Sequence, residues 1–322
     1  MKQQDFENQY SEVWDKLAKL LESKPFIDAE IELPGLYKQV SHHLSLAKSR
    51  RYTLSLITNL NYLVTECHHH YYQGSALYRY QFMRFIFIEF PAALRRNKYF
   101  VFASLAIFIL PALIMFGLCL KNPDMIYTIM EPSQVSDFEN MYEPNAKKIG
   151  RERDSDTDIS MFGFYIKHNI SIAFQTFAGG LIFGIGAIFY LLFNGLLLGG
   201  VTGHIAQIEY GSTFFPFVIG HGAFELTAIV YSGAAGLRIG FALIAPGRYR
   251  RMDALKLATK DAVVIVYGAI LMLVIAAFLE AFWSSSSTLT PMIKYSVGAI
   301  FWLIVISYSC LMGRGLSQNE HQ

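Results

Sequence analysis

The sequence predicts an all-α, polytopic membrane protein of about six transmembrane helices, preceded by an N-terminal cytoplasmic helical domain and an interfacial helix. Three observations lead there. The chain of 322 residues is 53% apolar and only 16% charged, whereas a soluble domain carries about 25% charged residues. Its mean hydropathy is +0.32. The apolar residues gather after position 98 into runs long enough to cross a bilayer core, which takes about 20 residues. A soluble enzyme, a disordered chain, a collagen-like fibre and a disulfide scaffold are thereby excluded. Lys plus Arg is 27 against 25 Asp plus Glu, a net +2, which offers no electrostatic footprint for nucleic acid. Cys67, Cys119 and Cys310 form no C-x-x-C pair, so the cysteines indicate neither a metal site nor a disulfide framework.

Residues 1–95 read as the cytoplasmic head with the interfacial helix. Phe6, Tyr10, Val13, Trp14, Leu17, Leu20 and Leu21 recur at spacings of three and four, the signature of an amphipathic helix. Pro25 and Pro34 punctuate the next segment, and a second helical pattern runs from Leu36 to Cys67, giving a helical hairpin. His68, His69 and His70 point in different directions on a helix and cannot all face one metal. Across 76–98, Phe82, Phe85, Ile86 and Phe90 alternate with Arg79, Arg84, Arg95, Arg96 and Lys98. That pattern suits a helix lying among lipid headgroups, broken by Pro91 shortly before the first span. The mixed, polar first 30 residues do not read as a cleaved leader.

Residues 96–313 form the transmembrane domain, with an outer loop at 120–167, and 314–322 a short cytoplasmic tail. The expected crossings are Tyr99–Cys119, His168–Phe193, a thin Asn194–Tyr210, Phe214–Ala245, Ala262–Trp283 and Tyr295–Met312. A re-entrant loop at 194–210 is the competing reading of the third. Basic residues favour the cytoplasmic side. Arg95, Arg96 and Lys98, then Arg248, Arg250, Arg251, Lys256 and Lys260, then Arg314 place both termini inside. Asp154, Asp156 and Asp158 resemble a calcium loop but lack its glycine and closing Glu, so they read as solvated.

Gly195, Gly199 and Gly203 make one smooth stripe, and Gly236 with Gly240 and Gly180 with Gly184 repeat the spacing. Such stripes, with Gly222, let helix backbones pack closely, within the chain or in a homodimer. Charged groups at mid-bilayer are costly, about 2.5–3.5 kcal/mol each on insertion scales, so they persist where they meet one another. His221 and Glu225 share one helical face. The topology brings Glu280, His204 and Asn169 toward the same outer leaflet, with Asn194 as a further polar group in the spans. The expectation is one polar cluster centred on His221 and Glu225. It serves either as a set of packing hydrogen bonds or as a functional site. H-x-x-x-E supplies two metal ligands where a catalytic zinc needs three, so no metal, no cofactor and no catalytic residue is expected.

The residues EFPAALRRN (89–97), HNISIAFQTFAGGLIFGIG (168–186), FNGLLLG (193–199), HGAFELTAI (221–229) with SGAAGLRIG, and AAFLEAF (276–282) resemble the stage II sporulation protein M family of bacterial membrane proteins. The resemblance covers most of 85–283 in order, with HG-x-x-E-L its most specific element; an Ala follows Glu280 where the family often has Gly. It implies signature positions at Asn169, Asn194, Gly195, His221, Gly222, Glu225 and Glu280. It also implies a multi-pass protein of the bacterial cytoplasmic (inner) membrane that organises peptidoglycan-degrading or other envelope partners without catalysing. The alternative is a transporter or channel for an ion, lipid or small solute that uses the His/Glu cluster. An intramembrane metallohydrolase is the weakest reading.

Overall fold

The computed structural model describes residues 2–22, 33–72, 75–144, 158–286 and 288–312. They fall into two compact units, Met1–Phe82 and Met83–Gln322. The Asp154 and Asp156 run and the tail from 314 lie outside the described residues.

The first unit holds α1 (Gln3–Glu22), α2 (Leu33–Ser49), α3 (Leu54–Tyr72) and most of α4 (Ser75–Arg84). The stripe of α1 buries Phe6, Trp14 and Leu17 against Leu36, Val40 and Leu44 of α2 and Leu60 and Leu63 of α3. The continuous helix expected from Leu36 to Cys67 is two helices, because Arg51 takes a positive φ of 53° and ends α2. Thr53 then starts α3, its amide donating to Gln3 Oε1 at 3.0 Å and its Oγ1 accepting from Gln3 Nε2 at 2.8 Å. The expected hairpin is therefore a three-helix core. His43 is buried in it and accepts the Trp14 indole N–H at 3.1 Å.

The second unit starts within the segment expected to lie among headgroups. A π-helical turn, Phe85–Glu89, leads into α5 (Phe90–Arg96). Here the expectation is corrected. Pro91 lies just after the π turn, which runs on into α5 without a break in helical conformation, and the break falls at Asn97 instead. Phe90, Ala93 and Leu94 are buried in the bundle core, with the Phe90 ring 6.0 Å from those of Tyr231 and Tyr308. Tyr308 also donates its hydroxyl to the Ile86 carbonyl. Arg96 and Asn97 both bond Asp261, at 2.6 and 3.1 Å, which fixes this entry to a later helix.

From Asn97 the chain runs into α6 (Lys98–Lys121). A 3-10 turn, Pro123–Thr128, and α7 (Pro132–Tyr142) come next, α7 begun by a capping box between Glu131 and Gln134. Ile126, Val135 and Tyr142 pack onto Met115, Val201 and Phe217, so this stretch is a folded cap on one end of the bundle.

The remaining helices are α8 (Asp158–Ala178), α9 (Ile185–Gln207), α10 (Gly211–Ile244), α11 (Arg251–Phe278, prolonged by a π turn to Ser284) and α12 (Pro291–Leu311). The expected span 168–193 and the thin crossing 194–210 are both corrected. The chain turns at Gly179–Gly184, where Phe183 and Gly184 have positive φ of 51° and 82°, and 194–207 is the second half of one long helix. Neither a thin crossing nor a re-entrant loop occurs there. Five helices have the length and hydropathy to cross a membrane: α6, α9, α10, the α11 segment to Ser284, and α12. The 21 residues of α8 would extend about 32 Å at about 1.5 Å per residue. It packs against α9, α10 and α11, so six helices build the bundle among the described residues. α10 lies at the centre, touching α6, α8, α9, α11 and α12.

Glycine sets how closely these helices approach. A Cβ on Gly195 or Gly199 would overlap the carbonyl oxygen of Phe108 or Ala112, and one on Gly203 would lie 2.7 Å from that of Phe116. The α9 stripe thus rests on successive turns of the α6 backbone. Gly236 and Gly240 of α10 meet the α8–α9 turn the same way, at Gly180 and Gly184. Gly222 does not share this role. A Cβ there would make only ordinary contact, 3.5 Å from Val218 of its own helix, and the residue lines a cavity of about 350 Å³ instead.

Candidate functional site

α10 carries His221 and Glu225 one turn apart, so both side chains leave the same face. α11 would end as a regular helix, but its last turn widens to π geometry over Leu279–Ser284. Isolated π turns inside helices occur frequently at functional sites. This one carries both Glu280 and Ser284. Gly220 makes the approach possible, since a Cβ there would lie 2.5 Å from the Trp283 ring.

Four side chains meet as a result. His221, Glu225 and Glu280 each bring a nitrogen or oxygen within 4.8 Å of the others. His221 is 4% exposed, and its Nδ1 is 2.9 Å from Ser284 Oγ, with a further hydrogen bond to the backbone of Phe217. Its Nε2 reaches Glu225 Oε2 only at 4.0 Å, beyond hydrogen-bond range. Lys294, buried at the start of α12, gives its ammonium to the Ser284 carbonyl at 2.7 Å. Nδ1 is thus occupied, Nε2 faces Glu225, and the imidazole and two carboxylates converge on one small volume.

Of the expected cluster, then, His221, Glu225 and Glu280 come together. Glu280 adds a third donor group to the two of H-x-x-x-E. His204 and Asn194 make their hydrogen bonds elsewhere. His204 pairs with Glu139 of α7 at 2.7 Å, on the face that holds the cap. Asn194 turns its amide back to the Tyr190 carbonyl at 2.7 Å. Asn169 is 2% exposed with its Nδ2 unpartnered among the described residues. Arg238, at the opposite end of α10, stacks over Phe100 with its guanidinium 5.7 Å from the ring centre.

Sequence reasoning misses Ser284, Lys294 and Glu139. The expected last span begins at Tyr295, so Lys294 reads as a flanking charge. Ser284 stands in a run of four serines, 284–287, that reads as a turn. Glu139 reads as one acid among several in a loop, although the E-P-S-Q capping signal at 131–134 marks a helix start there.

Residues 4–73 match a family described as Domain of unknown function (DUF8413). An uncharacterized protein of Methanocaldococcus jannaschii is 28% identical over 123 residues, 38% of this chain and 69% of that protein. No solved structure matches the chain. The family described as Stage II sporulation protein M matches residues 100–285, more than half of the chain and the stretch that holds His221, Glu225 and Glu280. The chain belongs to the stage II sporulation protein M family.

Proposed function

We propose that this protein is a non-enzymatic scaffold of the bacterial cytoplasmic membrane that positions envelope partners, peptidoglycan-degrading proteins among them. The observation that carries the reading is the seating of helix on helix without intervening side chains, at Gly195, Gly199 and Gly203 on α6 and at Gly236 and Gly240 on the α8–α9 turn. Helices interlocked through their backbones resist sliding, and a platform needs a fixed shape. The basic residues Arg95, Arg96, Lys98, Arg248, Arg250 and Arg251 gather at one end of the bundle, which the positive-inside rule assigns to the cytoplasm. Both termini are then cytoplasmic, and the α7 cap faces outward. The cap is folded, and Ser133, Ser136, Asp137 and Asn140 are exposed on it.

The test is purification of the tagged full-length chain from native membranes, with and without the exposed substitutions Asp137→Arg and Asn140→Arg. A cell-wall hydrolase that co-purifies with the wild type and is lost from the double variant supports the reading. Equal recovery from both, or recovery no better than from an untagged strain, refutes it.

The converging His221, Glu225 and Glu280 favour a second reading, a transporter or channel for a small solute or ion. Ionisable groups facing one another inside a bundle mark ion and proton pathways. Flux into proteoliposomes that disappears with Glu225→Gln while hydrolase recovery persists would select it.

A further inference from the structure

We propose that His221 Nε2, Glu225 and Glu280 bind one divalent cation of the zinc class, pinning α10 to the π turn of α11. The inference stands on ligand geometry and goes beyond both readings above. Two donors of one ion can be no farther apart than twice a metal–ligand bond. With zinc bonds of about 2.0–2.2 Å that limit is about 4.0–4.4 Å; His221 Nε2 and Glu225 Oε2, at 4.0 Å, already meet it, and the whole set, within 4.8 Å, reaches it by a side-chain shift of a few tenths of an ångström. Their mixture of one imidazole nitrogen with carboxylate oxygens favours zinc, iron or manganese over calcium or magnesium.

Two further observations point to a cation. The first is His221, a residue only 4% exposed, whose Nε2 faces Glu225 Oε2 at 4.0 Å, too far for a hydrogen bond and within the span of two donors of one ion. The second is the hold on the opposite nitrogen. Ser284 Oγ contacts Nδ1 at 2.9 Å, and the Ser284 carbonyl is itself held by Lys294. Metal-ligating histidines are characteristically fixed through their other ring nitrogen in this way. Lys294 brings one positive charge to this end of the bundle against two carboxylates, so a cation is also favoured by charge. Three protein ligands leave room for water or a partner's group at the ion.

The experiment uses the full-length chain, purified in detergent, stripped with chelator and titrated with Zn2+, with Mg2+ and Ca2+ as comparison ions. About one equivalent of zinc retained through gel filtration is expected, with a higher melting temperature that Mg2+ and Ca2+ do not produce. Cobalt in place of zinc should give visible absorption bands that His221→Asn and Glu280→Gln abolish. Glu139→Gln and the double variant His68→Ala/His69→Ala should keep the bands, because none of these groups is among the three donors. Ser284→Ala, which removes only the support of Nδ1, should weaken zinc binding about 10- to 100-fold. Substoichiometric zinc in the folded wild type overturns the proposal, as does a cobalt spectrum unchanged in folded His221→Asn. If a ligand variant fails to fold, the wild-type stoichiometry and the Ser284→Ala titration decide the matter.

Discussion

Three glycines that look alike in sequence should behave very differently when each becomes alanine. At Gly199 the new Cβ would overlap the Ala112 carbonyl oxygen and stand 2.8 Å from the Ala112 Cα. Carbon atoms settle at about 3.5–4.0 Å, so α6 and α9 would have to part by roughly 1 Å, and the obstacle is backbone that cannot rotate away. Overpacking costs about 1–3 kcal/mol, and rigid backbone as the obstacle puts this case in the upper part of that range, about 2–3 kcal/mol. Alanine's better helix propensity offsets about 0.8–1.0 kcal/mol of that. The net loss is then about 1–2 kcal/mol. For a unit of this size each kcal/mol moves the midpoint by about 2–4 °C, so a fall of about 2–8 °C is expected. Gly117→Ala meets nothing within 4 Å, and Gly222→Ala meets Val218 at 3.5 Å. Both should melt with the wild type or slightly above it. The assay is thermal unfolding of the purified chain at one scan rate, read by loss of monodisperse protein. If Gly199→Ala matches the wild type, or Gly117→Ala and Gly222→Ala fall as far as it does, then backbone contact along α9 is not what holds these helices.

Glu139→Ala leaves the buried His204 without its partner, a loss of about 1–3 kcal/mol; faster proteolysis within 122–157 should report it, with the rest of the bundle intact. In the first unit, burial holds the His43 imidazole below its usual 6.5, and the neighbouring His42 adds to the effect. As pH falls through 6.5 the unfolded chain takes up that proton before the folded unit does, so stability is full above 6.5 and declines below it. A fluorine NMR signal from labelled Trp14 should therefore melt earlier at about pH 5.5 than at about pH 7.5, and His43→Gln should flatten the difference. A cysteine placed at Ser133 in a cysteine-free background should react with an impermeant reagent on intact cells, whereas one at Arg250 should not. Reaction at both would undo the assigned orientation.

What could be read from sequence depended on where the charges fall. Lys98 and Lys121 frame an uninterrupted apolar run, and α6 appears between them as expected. Between α8 and α9 no charge interrupts the run. The turn is made of Gly179, Gly180 and Gly184 among Leu181, Ile182 and Phe183, so hydropathy passes through it unchanged and the expected span crossed it. The cluster was legible for the opposite reason. A helix fixes His221 and Glu225 on one face, and alternating topology fixes the level of Glu280, so few arrangements remained. Ser284 was not legible, because nothing in a run of serines says that a π turn will aim one of them at a histidine. The first unit's break at Arg51 likewise carries no glycine or proline to announce it.

The α8–α9 turn has one more consequence. Its tip exposes Leu181, Ile182, Phe183 and Ile185, and a loop so greasy gains nothing by surfacing among phosphates and water. Without a lysine or arginine at its apex it has no anchor of its own at the lipid–water boundary. What sets how deep the hairpin sits is its grip on α10 at Gly236 and Gly240, so loosening those two points would let the whole hairpin drift along the membrane normal.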